Sequence, residues 1–238
     1  GVSTPETSTK HSGFSWGTLR AAFRSKLFLI VTAAFVFIAL GRAFNSSLAL
    51  LFYKNRLEFS ENQIAVLLLT LTLAIMGAVP VWLLLSRRFE KGPLCLMGVC
   101  SLTILTAVAY PLLPVGALVP VLGVAVLGGL LVACVALLEA MFSDVIELDQ
   151  EHSDMAITGS YYGIWKMATK IARALGITCS GLFLSAIGFV KGSVAQTDQV
   201  ELSITWAFGP GVALFFGAGA VFVYMATTAF RQIGLSTK

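Results

Sequence analysis

At 238 residues, 57% hydrophobic and only 12% charged, the chain lies outside the composition of soluble domains, which run at about 45–50% apolar and about 25% charged. That composition excludes a soluble enzyme and predicts an all-α integral membrane protein. The net charge of +4 needs no nucleic-acid partner, because basic residues flanking membrane spans account for it.

Residues 1–26 form a polar, Ser/Thr-rich lead-in. Its second half interleaves Phe14, Trp16, Leu19 and Phe23 with Arg20, Arg24 and Lys26, which predicts a short interfacial helix. A six-helix bundle follows over residues 27–231, with spans at about 27–52, 62–85, 94–113, 121–142, 158–189 and 203–230, and residues 232–238 form a tail. The second span ends in the basic cluster Arg87, Arg88 and Lys91, followed by Gly92. The fourth carries Ala125, Gly129 and Ala133 at i,i+4, and the sixth carries Gly209, Ala213 and Gly217 at the same spacing. Such small-residue stripes let helices approach closely. An acidic loop, Ser143–Asp154, joins the fourth span to the fifth.

Six spans put both termini on one side. That side then holds nine Lys and Arg residues against Lys54, Arg56 and Lys191 on the other, which assigns both termini to the cytoplasm. Cys95, Cys100, Cys134 and Cys179 lie in apolar segments without His11 or His152 nearby in sequence, so the pattern predicts no metal site, disulfide framework or cofactor. Neither a G-x-x-x-x-G-K-[ST] loop nor a G-x-S-x-G elbow nor an H-E-x-x-H motif is present, and the chain is therefore read as neither an enzyme nor an ATP-driven pump.

The fifth span is long and apolar enough to cross a bilayer, yet it contains Lys166, Lys170 and Arg173. Tyr162, Lys166 and Lys170 are i,i+4 neighbours and Arg173 follows at i+3, so one face of the helix is cationic. Counted from Ser160, Lys166 lies roughly 9 Å deep, Lys170 roughly 15 Å and Arg173 roughly 20 Å. A cation at the depth of Lys170 costs at least about 2.5 kcal/mol against lipid and must face a polar cavity or a carboxylate. Tyr161, Tyr162 and Trp165 cluster at the same end, either as an aromatic belt or, for Tyr162 and Trp165, as a face on which a sugar stacks. Arg42, midway along the first span, is a further intramembrane cation. Glu139 is a candidate partner, although counting the fourth span as ending at Phe142 puts the two at different depths.

The segment 143–176, SDVIELDQEHSDMAITGSYYGIWKMATKIARALG, resembles the loop before the eleventh helix, and that helix itself, in the glycoside–pentoside–hexuronide:cation symporters, the melibiose-permease branch of the major facilitator superfamily. Asp144 and Glu147 match the family's Asp-x-x-Asp/Glu start, Gly159 its loop glycine and Lys170 the lysine within the helix. A weaker likeness over 27–230 sets Asn45 at a polar position of the seventh helix, and Pro80, Trp82 and the Arg87–Gly92 cluster at the eighth and its loop. Ala156, Ile157 and Thr158 depart from the family's pattern, as does Glu139.

The resemblance implies the carboxy-terminal six helices of a twelve-helix secondary transporter. Such a protein carries a sugar or related small organic solute with Na+ or H+ by alternating access, in the plasma membrane of a bacterium. Read together with the cationic and aromatic face described above, it sets candidate substrate or coupling roles on Lys170, Lys166, Tyr162, Trp165, Arg173 and Asn45, with a structural pairing to an acid on another helix as the alternative for Arg173, and a cytoplasmic gate on Asp144, Glu147, Arg87 and Arg88. It also implies that the coupling-cation site and a six-helix partner half lie elsewhere, in this or another chain. Two other readings stand beside it: a non-transporting receptor or interaction protein, and an inactive truncated half. A self-associating half-transporter using the Gly209/Ala213/Gly217 stripe is a further expectation.

Overall fold

The computed structural model describes residues 22–151, 158–190 and 197–233. The lead-in through residue 21, Asp154, Lys191 and the tail from residue 234 lie outside the described residues, as do the parts of the predicted interfacial helix that precede Ala22. Regular structure among the described residues is helical. In chain order the helices are α1 (Lys26–Leu51), α2 (Glu61–Leu85), α3 (Lys91–Leu112), α4 (Leu118–Val132), α5 (Val135–Glu151), α6 (Thr158–Ala186), α7 (Asp198–Trp206) and α8 (Val212–Gln232). The pairs α4–α5 and α7–α8 each make one span, so six continuous stretches are long and apolar enough to cross a membrane.

Local chemistry fixes several ends. Ser25 caps α1 by accepting from the Phe28 amide at 3.3 Å. Ser60 and Gln63 form a reciprocal capping box at the start of α2, which satisfies donors the helix itself cannot. A turn at 86–89 then reverses the chain. Beyond α3, Pro114 and Gly116 mark the turn into α4, and Gly116 sits at φ +72°, where a side chain is rarely accommodated. Two helix ends differ from the expected limits by a few residues. Helix α6 ends at Ala186 rather than Phe189, and the last span starts at Asp198 rather than Ser203.

The predicted acidic loop is a larger departure. From Ser143 through Glu151 the chain is helical, continuing α5. Neither Gly nor Pro interrupts 135–151, and Leu138, Met141, Phe142, Val145 and Ile146 recur at helical spacing and are all buried. Asp144, Glu147 and Asp149 ride on the other face of an amphipathic helix rather than on a loop.

Helix α1 is the hub, packed against α8 on one flank and against α6 and α5 on the other. On the α8 flank, a Cβ added at Gly219 would lie 2.7 Å from Ile38 Cγ1, and one at Gly41 would lie 2.9 Å from Phe215 Cβ. Small residues there set the interaxial distance, which is the close-packing use expected of them. The Gly129 stripe behaves the same way, since its missing Cβ would meet Ala74 of α2 at 2.7 Å. Gly209 belongs to the second such stripe and lies against Pro111 and the Thr106 carbonyl within the chain. That seat at α3 gives Gly209 a packing use within the chain.

The end opposite the Arg87–Lys91 turn is held by aromatic rings. Single π-helical turns occur at Phe52–Arg56 and Ala207–Gly211, the second containing Pro210. They bring Phe52 and Phe208 into a parallel stack at 4.4 Å, with Tyr110 edge-on to Phe208 at 4.6 Å. Each such pair contributes about 0.5–1.5 kcal/mol beyond its buried area. The outer face of α2, by contrast, leaves Leu69, Leu73 and Met76 exposed at 59–66%, as a lipid-facing helix does.

Candidate functional site

Between α1, α5 and α6 the bundle leaves a cavity of about 570 Å³. Its apolar wall includes Phe35, Ile38, Val135 and Ile177. Its polar groups are Arg42 and Ser46 from α1, Glu139 from α5, and Lys166, Thr169, Lys170 and Arg173 from α6, with Trp165 at one edge. The cationic face predicted for the fifth span is therefore the cavity wall. Four cations face one carboxylate there.

Depth explains why these groups meet. Lys170 is twelve residues from the start of α6 and Glu139 twelve from the end of α5, each a rise of roughly 18 Å. Both helix ends belong to the same end of the bundle. The mismatch expected from the sequence arose from ending the fourth span at Phe142. With α5 continuing to Glu151, Glu139 reaches mid-depth and shares the cavity with Arg42. Even so, among the described residues neither Arg42, Lys170 nor Arg173 forms an ion pair with Glu139 or any other acid. All four cations and Glu139 are exposed in this chain.

The aromatic cluster is not an interfacial belt. Tyr161 and Trp165 are 2% and 5% exposed, enclosed by Phe28, Phe35 and Phe142. Phe142 stacks on the Trp165 ring at 4.9 Å while Lys166 Nζ sits 4.4 Å from its centroid. Trp165 thus borders the cavity with a ring already engaged from within the chain. The cation–π contact holds the Lys166 ammonium beside the cavity rather than snorkelling away from it. Tyr162 does not line the cavity. Its hydroxyl is 3.0 Å from Ser143 Oγ, tying α6 to α5, and the Tyr161 hydroxyl donates to Asp149 at 2.9 Å. Asn45 is half-buried on α1, away from the cavity lining.

The residues expected to form a gate are dispersed differently. Asp144 accepts from Lys91 Nζ through both oxygens, at 2.8 and 2.9 Å, a partner sequence reasoning missed. Arg87, Arg88 and Glu147 are exposed and make no ion pair among the described residues. A second surface pair, Arg231 to Glu90 at 3.0 Å, links α8 to the Arg87–Lys91 turn. Lys91 was legible as a basic loop residue, but its pairing depends on α5 extending far enough to carry Asp144 beside it.

Residues 2–228 match the family described as MFS/sugar transport protein. The chain is also similar to an uncharacterized symporter of Synechocystis sp., 25% identical over 214 residues. That match takes in 85% of this chain, and the chain spans 38% of the relative's length.

Proposed function

We propose, from the premise that this chain belongs to the MFS/sugar transport protein family, that it is the carboxy-terminal half of a secondary active transporter carrying a small organic solute together with a cation. Membership gives transport across a membrane. Coupling to Na+ or H+, alternating access, a sugar-like solute and both termini in the cytoplasm are the parts proposed. The observation that carries the reading is the mid-depth cavity between α1, α5 and α6, where Lys170 stands roughly 18 Å from the helix end. A charge at that depth persists only against a polar path or a partner, and transporters of this kind hold solute near the midplane between two bundles that rock against each other.

In this scheme Lys170 faces carboxylates of an amino-terminal six-helix half, which also hold the coupling cation. Attraction between them favours one orientation while the cation site is empty, and cation binding screens it. Lys166 and Arg173 shape the same potential. At the cytoplasmic end, Asp144 held by Lys91 offers a fixed anchor, and Glu147, Arg87 and Arg88 remain available to pair with the facing half when that end closes.

The test is solute uptake into membrane vesicles under imposed Na+ or H+ gradients, with the protein expressed from its own gene and Lys170→Leu as the variant. Gradient-driven uptake lost or uncoupled in the variant supports the scheme. Unchanged coupled uptake by Lys170→Leu removes it, and solute binding with no flux in the unaltered protein favours a receptor instead.

A further inference from the structure

We propose that the cavity takes a solute bearing a phosphate monoester, and that Arg42 of α1 and Arg173 of α6 clasp that group between them. The proposal rests on reading this cavity as the solute site. Arg42 comes from α1 and Arg173 from α6, both line the cavity, and neither has an ion-pair partner among the described residues. Two like charges held toward one space in a membrane interior repel each other, an arrangement that becomes favourable once an anion sits between them.

The charge count points to the kind of anion. Four cations against Glu139 leave an excess of three positive charges among the cavity-lining groups. A phosphate monoester, at about −1.5 to −2 near neutral pH, offsets more of that excess than a carboxylate does. Geometry points the same way. One guanidinium fork already satisfies a planar carboxylate through two parallel bonds, whereas two forks on facing helices suit a tetrahedral group with three terminal oxygens to share. The apolar wall of Phe35 and Ile38 fits the organic part of the ester.

Equilibrium binding to the purified full protein in detergent tests this, with glucose 6-phosphate, inorganic phosphate, lysophosphatidic acid, glucuronate and glucose as probes. The expected result is that a phosphate probe binds at least about tenfold more tightly than glucuronate or glucose. Arg42→Gln and Arg173→Gln should each remove that preference, while Arg42→Lys and Arg173→Lys, keeping charge without the fork, retain part of it. Lys54→Gln, exposed and outside the cavity, should leave it intact and serves as the control for folding. Which phosphate probe binds best identifies the source as a free ion, a small ester or a lipid headgroup. Equal binding of glucose or glucuronate, no binding of any phosphate probe, or a preference that survives both glutamine variants overturns the proposal. Uptake of a neutral sugar without phosphate preference would overturn it while leaving the transport reading in place. Phosphate binding without uptake would do the reverse.

Discussion

The two flanks of α1 are built from similar residue types and do different things. Toward α8, Gly41 and Gly219 are each occupied by a partner side chain, with Phe215, Phe216 and Ile38 filling the spaces a methyl would need. Toward α6, close approach is achieved at Gly176, whose added Cβ would lie 2.6 Å from the Leu40 carbonyl oxygen and 2.8 Å from Ala43 Cβ. Around that contact the seam opens into the charged cavity. Glycine on one flank fills an interior, and on the other it brings two helices together beside the cavity, with Phe35 on Trp165 and Phe28 on Tyr161 closing the seam again further along.

The largest break in that comparison comes from Gly176→Ala. Its methyl meets backbone rather than a flexible side chain, so α1 and α6 must separate, at about 1–3 kcal/mol. Gly181→Ala on the same helix meets nothing within 4 Å and should gain about 0.5–1 kcal/mol from helix propensity. Thermal melts in detergent should therefore move in opposite directions, and parallel shifts would show that the seam does not close at Gly176.

A smaller effect separates the two ion pairs at the bundle end. Lys91→Met leaves Asp144, 28% exposed, without its donor, and should cost about 1.5 kcal/mol. Glu90→Gln at the more exposed pair with Arg231 should change stability by about 0.5 kcal/mol or less and lose even that at high salt. Equal losses would mean that burial does not distinguish the pairs. Smaller than the Lys91 change is Tyr161→Phe, which removes the hydroxyl bonded to Asp149 and keeps the ring against Phe28. A loss of about 1 kcal/mol is expected, with little change in how tightly the cavity binds its solute. A large change in solute affinity would place Tyr161 in the site itself.

The six spans were readable because runs of apolar residues this long have few other homes, and the cationic face of α6 was readable because 3.6-residue spacing puts Lys166, Lys170 and Arg173 together on any helix. What sequence spacing did not reveal was decided by one boundary. Acidic residues at 144–151 looked like a loop, while the buried set Leu138, Phe142, Val145 and Ile146 carried the contrary signal at i,i+3 and i,i+4. Missing it hid the depth of Glu139, the Lys91–Asp144 pair and the burial of Tyr161 against α5, all of which follow once α5 reaches Glu151. The burial of Trp165 was hidden for another reason: its neighbours Phe35 and Phe142 come from two other helices, and no local pattern marks such a meeting.

Helix α6 is held against α1 on both sides of Lys170: at Gly176, six residues on, and at Trp165, five residues back, where its ring packs on Phe35. Roughly 9 and 7.5 Å of helical rise separate Lys170 from those two contacts. Its ammonium is therefore carried on a stretch of helix fixed at both ends, so its height in the cavity is set from both sides.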